Sequence, residues 1–197
     1  MVAKPDCIRV GVLGSGKGSN MVALAEAATL PDATFKVVTV ISDTAGAGIL
    51  DRARERGIPA HYINPGQFRT KLDAGAEARF IEVLREAKVD YVALAGFMRI
   101  LKDGLLDAFP KRVINIHPSL LPSFPGLESW KQALDHGVKV TGCTVHFVDA
   151  GVDTGKIISQ KVVEVLDNDT PASLHERIQV AERTIYPQVM NALGRGL

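Results

Sequence analysis

Two short stretches hold residue types able to do chemistry. Asn115 and His117 flank Ile116 at the end of an apolar run that begins at Arg112. Residues two apart on a strand share a face, so an amide and an imidazole project together. Pro118 lacks an N–H and restricts the residue before it, which ends the strand at once. The pair therefore stands at a strand's carboxyl end, where open α/β sheets hold their ligands. An amide donor beside an imidazole suits a developing oxyanion. A nearby carboxylate would favour the protonated ring and fix its orientation. On residue types alone two readings stand, because a histidine before proline is also a common structural residue. Asp153, within Gly151-Val152-Asp153-Thr154-Gly155, also reads as a plain turn aspartate.

The second stretch is Gly14-Ser15-Gly16-Lys17-Gly18-Ser19-Asn20, between a β-branched run and a helical pattern. Free amides and the dipole at such a helix start favour an anion, and glycines let backbone approach a phosphate. Two familiar motifs nearly fit. Gly11 to Lys17 matches GxxxxGK, but Gly18 stands where a P-loop needs a Mg²⁺-binding hydroxyl. A GxGxxG fingerprint starting at Gly14 fails at Ser19, leaving Asp43 alone to support a ribose-binding dinucleotide reading. A loop or helix-cap role is the simpler account of Asp43. The stretch reads as a phosphate site whose ligand stays open.

The elements that must position these residues alternate between strand and helix. Strands are expected at Ile8–Leu13, Phe35–Ile41, Ala60–Ile63, Val89–Ala95 and Arg112–Ile116. Between them, helical spacing marks a segment from Asn20 through Ala28, then 47–56, 77–87 and 101–109. This order predicts βαβ units and a mostly parallel, Rossmann-like sheet with helices on both faces. Further on, a helix is expected over 126–136, a β-pair from Thr141–Val148 and Ile157–Val165, and a long helix over Pro171–Leu193. Pro171 suits its first turn, with Thr170 as N-cap. The last third is thus more antiparallel than the first half. No repeats or linkers interrupt the chain, so residues 1–197 read as one α/β domain. Its phosphate-binding half runs to about 110, and the catalytic half occupies about 111–197.

Bulk properties exclude several functions. A formal net charge of +1 gives no field to recruit nucleic acid or an acidic membrane. Cys7 and Cys143 have no CxxC partners and read as thiols of a reducing compartment. The five histidines show no metal-ligand spacing, so no metal is expected. Lys4, Pro5 and Asp6 precede the first apolar residues, so no signal peptide is expected, and no run is long enough to span a bilayer. These features predict a cytoplasmic protein.

Four blocks in order resemble one family, the folate-dependent formyltransferases. They are Gly16–Asn20; Leu94-Ala95-Gly96-Phe97-Met98-Arg99-Ile100-Leu101; Asn115-Ile116-His117-Pro118-Ser119-Leu120-Leu121-Pro122 with Pro125-Gly126; and Gly142–Val148 followed by Asp153-Thr154-Gly155. The resemblance covers essentially the whole chain and implies the formyltransferase fold. It implies formyl transfer from 10-formyltetrahydrofolate, as co-substrate, to the amine of glycinamide ribonucleotide in purine synthesis. Asn115, His117 and Asp153 match the family's catalytic trio. Gly18, Ser19 and Asn20 match its substrate-phosphate loop, and Gln179 and Glu182 match positions that hold the ribonucleotide. Met98, Arg99, Ile100, Leu101, Asn115 and Val148 match the folate pocket, and Lys71 aligns near the folate's benzoyl-glutamate tail. The family pattern implies a cis Leu121–Pro122 bond and leaves room for a homodimer. It gives no role to His61, His136 or His175, which read as surface or loop residues. His146 is expected to pack or hydrogen-bond on its strand. Members acting on methionyl-tRNA, or hydrolysing the formyl folate, carry added domains for which this sequence offers no segment.

Overall fold

The computed structural model describes residues 7–197; Lys4, Pro5 and Asp6 lie outside the described residues. Seven strands form one sheet: β1 (Ile8–Leu13), β2 (Phe35–Ser42), β3 (Ala60–Tyr62), β4 (Tyr91–Leu94), β5 (Val113–His117), β6 (Val140–Phe147) and β7 (Ile157–Glu164). Their order is β3-β2-β1-β4-β5-β6-β7. The first five are parallel, and β6 and β7 are antiparallel to their neighbours, as the switch from βαβ spacing to paired runs predicts. The helices are α1 (Ser19–Ala27), α2 (Gly48–Arg54), α3 (Ala74–Glu86), α4 (Asp103–Ala108), α5 (Ser129–Asp135) and α6 (Pro171–Gly194).

Apolar residues on both faces of the parallel strands divide the core into two layers. Val10, Val12 and Val40 pack against α1, α2 and α6 through Met21, Leu24, Ile49, Ile178 and Ile185. On the opposite face, Leu13, Ile41 and Val92 meet α3 and α4 through Phe80, Leu84 and Leu105. Gly11 belongs to this second packing, since a Cβ there would lie 2.5 Å from the Leu84 Cδ2. The near-match to a P-loop thus comes from a strand glycine needed for close helix packing.

Two helix starts differ by three residues from the sequence expectation. Helix α3 begins three residues before Glu77, because the Asp73 carboxylate accepts from the Ala76 N–H at 2.7 Å and caps it. Helix α5 begins at Ser129 rather than near 126, because Glu128 stands in the left-handed region at φ 51° and no helix can pass through it. Helix α6 starts as expected. Thr170 and Ser173 exchange side-chain-to-backbone bonds in a capping box, with Pro171 in the first turn. The buried Tyr186 hydroxyl lies 3.1 Å from the carbonyl oxygens of both Leu94 and Ile114, so α6 holds the ends of β4 and β5 together.

Candidate functional site

From β1 the chain moves outward to β2 and β3, then returns to the other side of β1 as β4. The β1/β4 boundary is therefore the topological switch point, with its crevice at the carboxyl ends of the strands. The loop from Gly14 to Gly18 lines that crevice. The Ser15 N–H donates to the Gly96 carbonyl at 3.0 Å and the Met98 N–H to the Ser15 Oγ at 3.0 Å, which joins it to the loop after β4. Gly18, at φ 82°, lets the chain turn into α1, where any Cβ would lie 2.7 Å from the Ile49 Cα.

Asn20, in the first turn of α1, reaches the last helix. Its Nδ2 donates to the Glu182 Oε2 at 2.9 Å in a buried contact, while its Oδ1 is buried with no partner. Glu182 is 6% exposed, and burial pushes its carboxyl up to about 7, against the opposing bond from Asn20. Gln179 lies three residues earlier on α6, one turn along the same face. The phosphate loop thus meets Glu182 directly, and Gln179 stands one turn from that contact.

The second cluster forms where β5 ends. His117 is 4% exposed, its Nε2 lies 2.9 Å from the Phe124 carbonyl oxygen, and its Nδ1 lies 3.3 Å from the Asp153 Oδ2. The carbonyl can only accept, so Nε2 carries a proton. The Asp153 carboxylate faces the other ring nitrogen, where it can pair with an imidazolium. Asp153 is held at φ 54°, and the Gly126 N–H donates to the same Oδ2 at 2.8 Å. Two loops, 118–128 and 149–155, therefore close on one imidazole. The Thr144 hydroxyl anchors the first of them, donating to the Ser119 carbonyl at 2.7 Å and accepting from the Leu121 N–H at 3.0 Å. The Leu121–Pro122 bond is cis, as the family pattern implies.

His146 joins this cluster, a membership the sequence reading missed. It stands directly across from Asn115 in the β5/β6 register, so the two side chains share a face. Its Nδ1–H donates to the Phe147 carbonyl at 2.9 Å, leaving Nε2 to accept from the Asn115 Nδ2 at 3.2 Å. Burial lowers its proton affinity, outweighing the Phe147 carbonyl and the Asp153 carboxylate, and the neutral ring fits both contacts. One Asn115 N–H is thereby fixed on His146 and the other is left for a ligand. The antiparallel pairing of 141–148 with 112–116 is the sequence signal that could have found this.

The expected folate residues are distributed unevenly. Met98 is 59% exposed and Ile100 41%, whereas Leu101 is buried and Val148 packs at the edge of the core beside it. The Arg99 Nε donates to the Asp43 Oδ2 at 2.7 Å, and its Nη1 donates to the Phe68 and Arg69 carbonyls. Asp43 is therefore no helix cap but a buried counter-ion, and its carboxylate is taken up by Arg99 rather than free for a ribose. The Ile100 N–H donates to the Thr70 carbonyl at 2.8 Å, which fastens the 64–71 loop beside the crevice. There Lys71 places its ammonium 4.4 Å over the Phe68 ring.

The expectation for His175 requires correction. It is half-buried in α6, its ring stacked on Trp130 of α5 at 3.6 Å between centroids and 4° between planes. The α5/α6 packing that makes this stack has no signature in either segment alone. His61 and His136 are exposed, as expected. Concavity size does not select the site. A cavity of 490 Å³ lies at the opposite end of the strands around Arg9, Lys36 and Arg112, and one of 260 Å³ opens beside Asp153. Among the described residues no group of three or more His, Cys, Asp or Glu is placed to hold a metal ion, and no helix is long and apolar enough to cross a membrane.

The fold has counterparts among known proteins. The formyl transferase family model matches residues 8–190. The phosphoribosylglycinamide formyltransferase of Bacillus subtilis is 40% identical over 185 residues, covering 94% of this chain and 94% of the relative. The trifunctional purine biosynthetic protein adenosine-3 of Bos taurus is 44% identical over 193 residues, but this chain spans only 19% of that relative's length. Among solved structures, glycinamide ribonucleotide transformylase 1 from Symbiobacterium toebii superposes with a TM-score of 0.92 at 46% identity, covering 97% of this chain and 89% of that one. With the family model spanning nearly every described residue, this chain belongs to the formyl transferase family.

Proposed function

We propose that this chain is a cytoplasmic phosphoribosylglycinamide formyltransferase. It moves the formyl group of 10-formyltetrahydrofolate to the amine of glycinamide ribonucleotide, giving formylglycinamide ribonucleotide and tetrahydrofolate in purine biosynthesis. The observation that carries the reading is the meeting of Asn115, His117 and Asp153 at the end of β5, one strand from the Gly14–Asn20 loop across β4.

The substrate amine attacks the formyl carbon, and the carbonyl electrons move to oxygen. The free Asn115 N–H and the His117 Nε2–H, released from the Phe124 carbonyl, donate to that oxyanion. Asp153 holds the imidazolium by its Nδ1–H and accepts the proton that the amine loses, directly or through one water. Collapse of the intermediate re-forms the carbonyl and breaks the carbon–N10 bond. The bond's electron pair goes to N10, which takes back from Asp153, directly or through the same water, the proton that the amine lost. The phosphate end of the ribonucleotide rests on the Gly18–Asn20 amides, with Gln179 and Glu182 on its sugar. The folate lies along Met98–Leu101 and Val148, with its tail toward Lys71. Holding the two substrates in one crevice supplies much of the acceleration.

The test is formyl transfer followed by folate absorbance, with and without the ribonucleotide. Turnover should require the ribonucleotide, and kcat should fall on the order of 10²–10³ in both Asn115→Ala and His117→Ala. Release of formate without acceptor would identify a hydrolase instead. Near wild-type turnover in Asn115→Ala would remove the amide from the mechanism.

A further inference from the structure

Gln179 does not stand alone on α6. Its Nε2 lies 3.2 Å from the Nε2 of His175, one turn earlier on the same face. An amide N–H can only donate, so the imidazole nitrogen is the acceptor and the ring is neutral, with its proton on Nδ1. Burial lowers the proton affinity of His175, which agrees with that state. The ring itself is held flat against Trp130, whose own body packs against the main core layer. The terminal torsion of a glutamine is broad and nearly two-fold, so an unsupported amide presents N–H and oxygen about equally. Here one N–H is fixed on His175, which directs the carbonyl oxygen and the second N–H elsewhere. Along the same face Glu182 meets Asn20 of the phosphate loop.

We infer that His175, held by its stack on Trp130, is a positioning residue that orients the Gln179 amide for the ribonucleotide. The inference rests on the proposed function and adds a specificity element to it. His175 touches no reacting atom. Its effect falls on binding of the ribonucleotide, leaving the folate and the chemical step untouched. Trp130 follows directly on the loop that carries Phe124 and Gly126, so the support for the sugar end is built on the segment that closes over His117.

The experiment is steady-state kinetics with both substrates varied, on wild type, His175→Leu, His175→Gln, Gln179→Leu and the double variant with both leucines. Losing one orienting neutral hydrogen bond should raise the ribonucleotide KM roughly five-fold in His175→Leu. Its kcat and folate KM should stay within about two-fold, the scale of an interaction that acts on one substrate's binding alone. His175→Gln, which restores an acceptor, should recover most of the loss. In the Gln179→Leu background, His175→Leu should add nothing, because the residue it positions is already gone. An unchanged ribonucleotide KM in His175→Leu overturns the inference. So does a rise in both KM values together, or an equal rise in the Gln179→Leu background. A wild type that transfers no formyl group to the ribonucleotide overturns the proposed function itself and this inference with it.

Discussion

Glu182 and Asp153 are both carboxylates at the carboxyl end of the sheet, yet the protein treats them in opposite ways. Asp153 is served by a backbone N–H at 2.8 Å and faces the His117 Nδ1 at 3.3 Å, at the edge of a solvent-reaching depression. Glu182 receives one amide N–H and is otherwise enclosed by apolar helix packing, so its carboxyl is pushed up to about 7. The first is provided with partners for a negative charge. The second is held in a place that charges only with difficulty. A binding group and a proton-handling group can thus share one crevice without competing for the same proton.

That contrast can be broken by exchange of charge for amide. Asp153→Asn should lower kcat about 100-fold, since the imidazolium loses its counter-charge and the amine loses its acceptor, with little change in the ribonucleotide KM. Glu182→Gln should do the reverse, raising that KM about ten-fold while kcat changes little. If both variants lost kcat equally, the division of labour between the two carboxylates would be wrong.

A smaller effect sharpens the same comparison. The carboxyl of Glu182 is raised in the folded chain above its unfolded value of 4.5. Its contribution to stability is therefore fully present below that value and is lost as pH rises through about 7. Thermal unfolding of the ligand-free protein should show Tm falling across this window, by the equivalent of about 3 kcal/mol, and Glu182→Gln should flatten the fall. A wild-type profile with no fall between pH 4.5 and about 7 would place the charge on Glu182 at little cost. The smallest effect concerns the frame beneath both sites. Tyr186→Phe removes the hydroxyl shared by Leu94 and Ile114, and should cost about 1–3 kcal/mol in chemical unfolding, because two buried carbonyls lose their donor.

Much of the frame could be read directly. Short β-branched apolar runs and helix-period spacing located every strand and helix among the described residues, and Thr170-Pro171 marked the start of α6. Helix starts were harder. The Asp73 cap and the left-handed Glu128 depend on single backbone conformations that residue types only weakly announce. In the site, Asn115 and His117 were visible because a strand face and a proline fix their direction. Asp153 was visible only through the resemblance, as nothing in a glycine-rich turn says which imidazole it will meet. His146 required the β5/β6 register, Asp43 a partner 56 residues away, and His175 the packing of two helices. These are tertiary facts, and no local period records them.

The position of α6 in the chain has a consequence for synthesis. The bond from Asn20 to Glu182 spans 162 residues, and those from Thr34 to Asn191 span 157. A ribosome that has completed β7 has made every strand of the sheet, but none of the helix that covers α1 and bridges β4 to β5. Until α6 emerges, the part of the main core layer filled by Ile178, Ile185 and Met190 stays open, and Asn20 of the phosphate loop lacks the Glu182 it reaches. The nascent chain therefore completes this core layer, and the contact that backs the phosphate loop, only once α6 has been made.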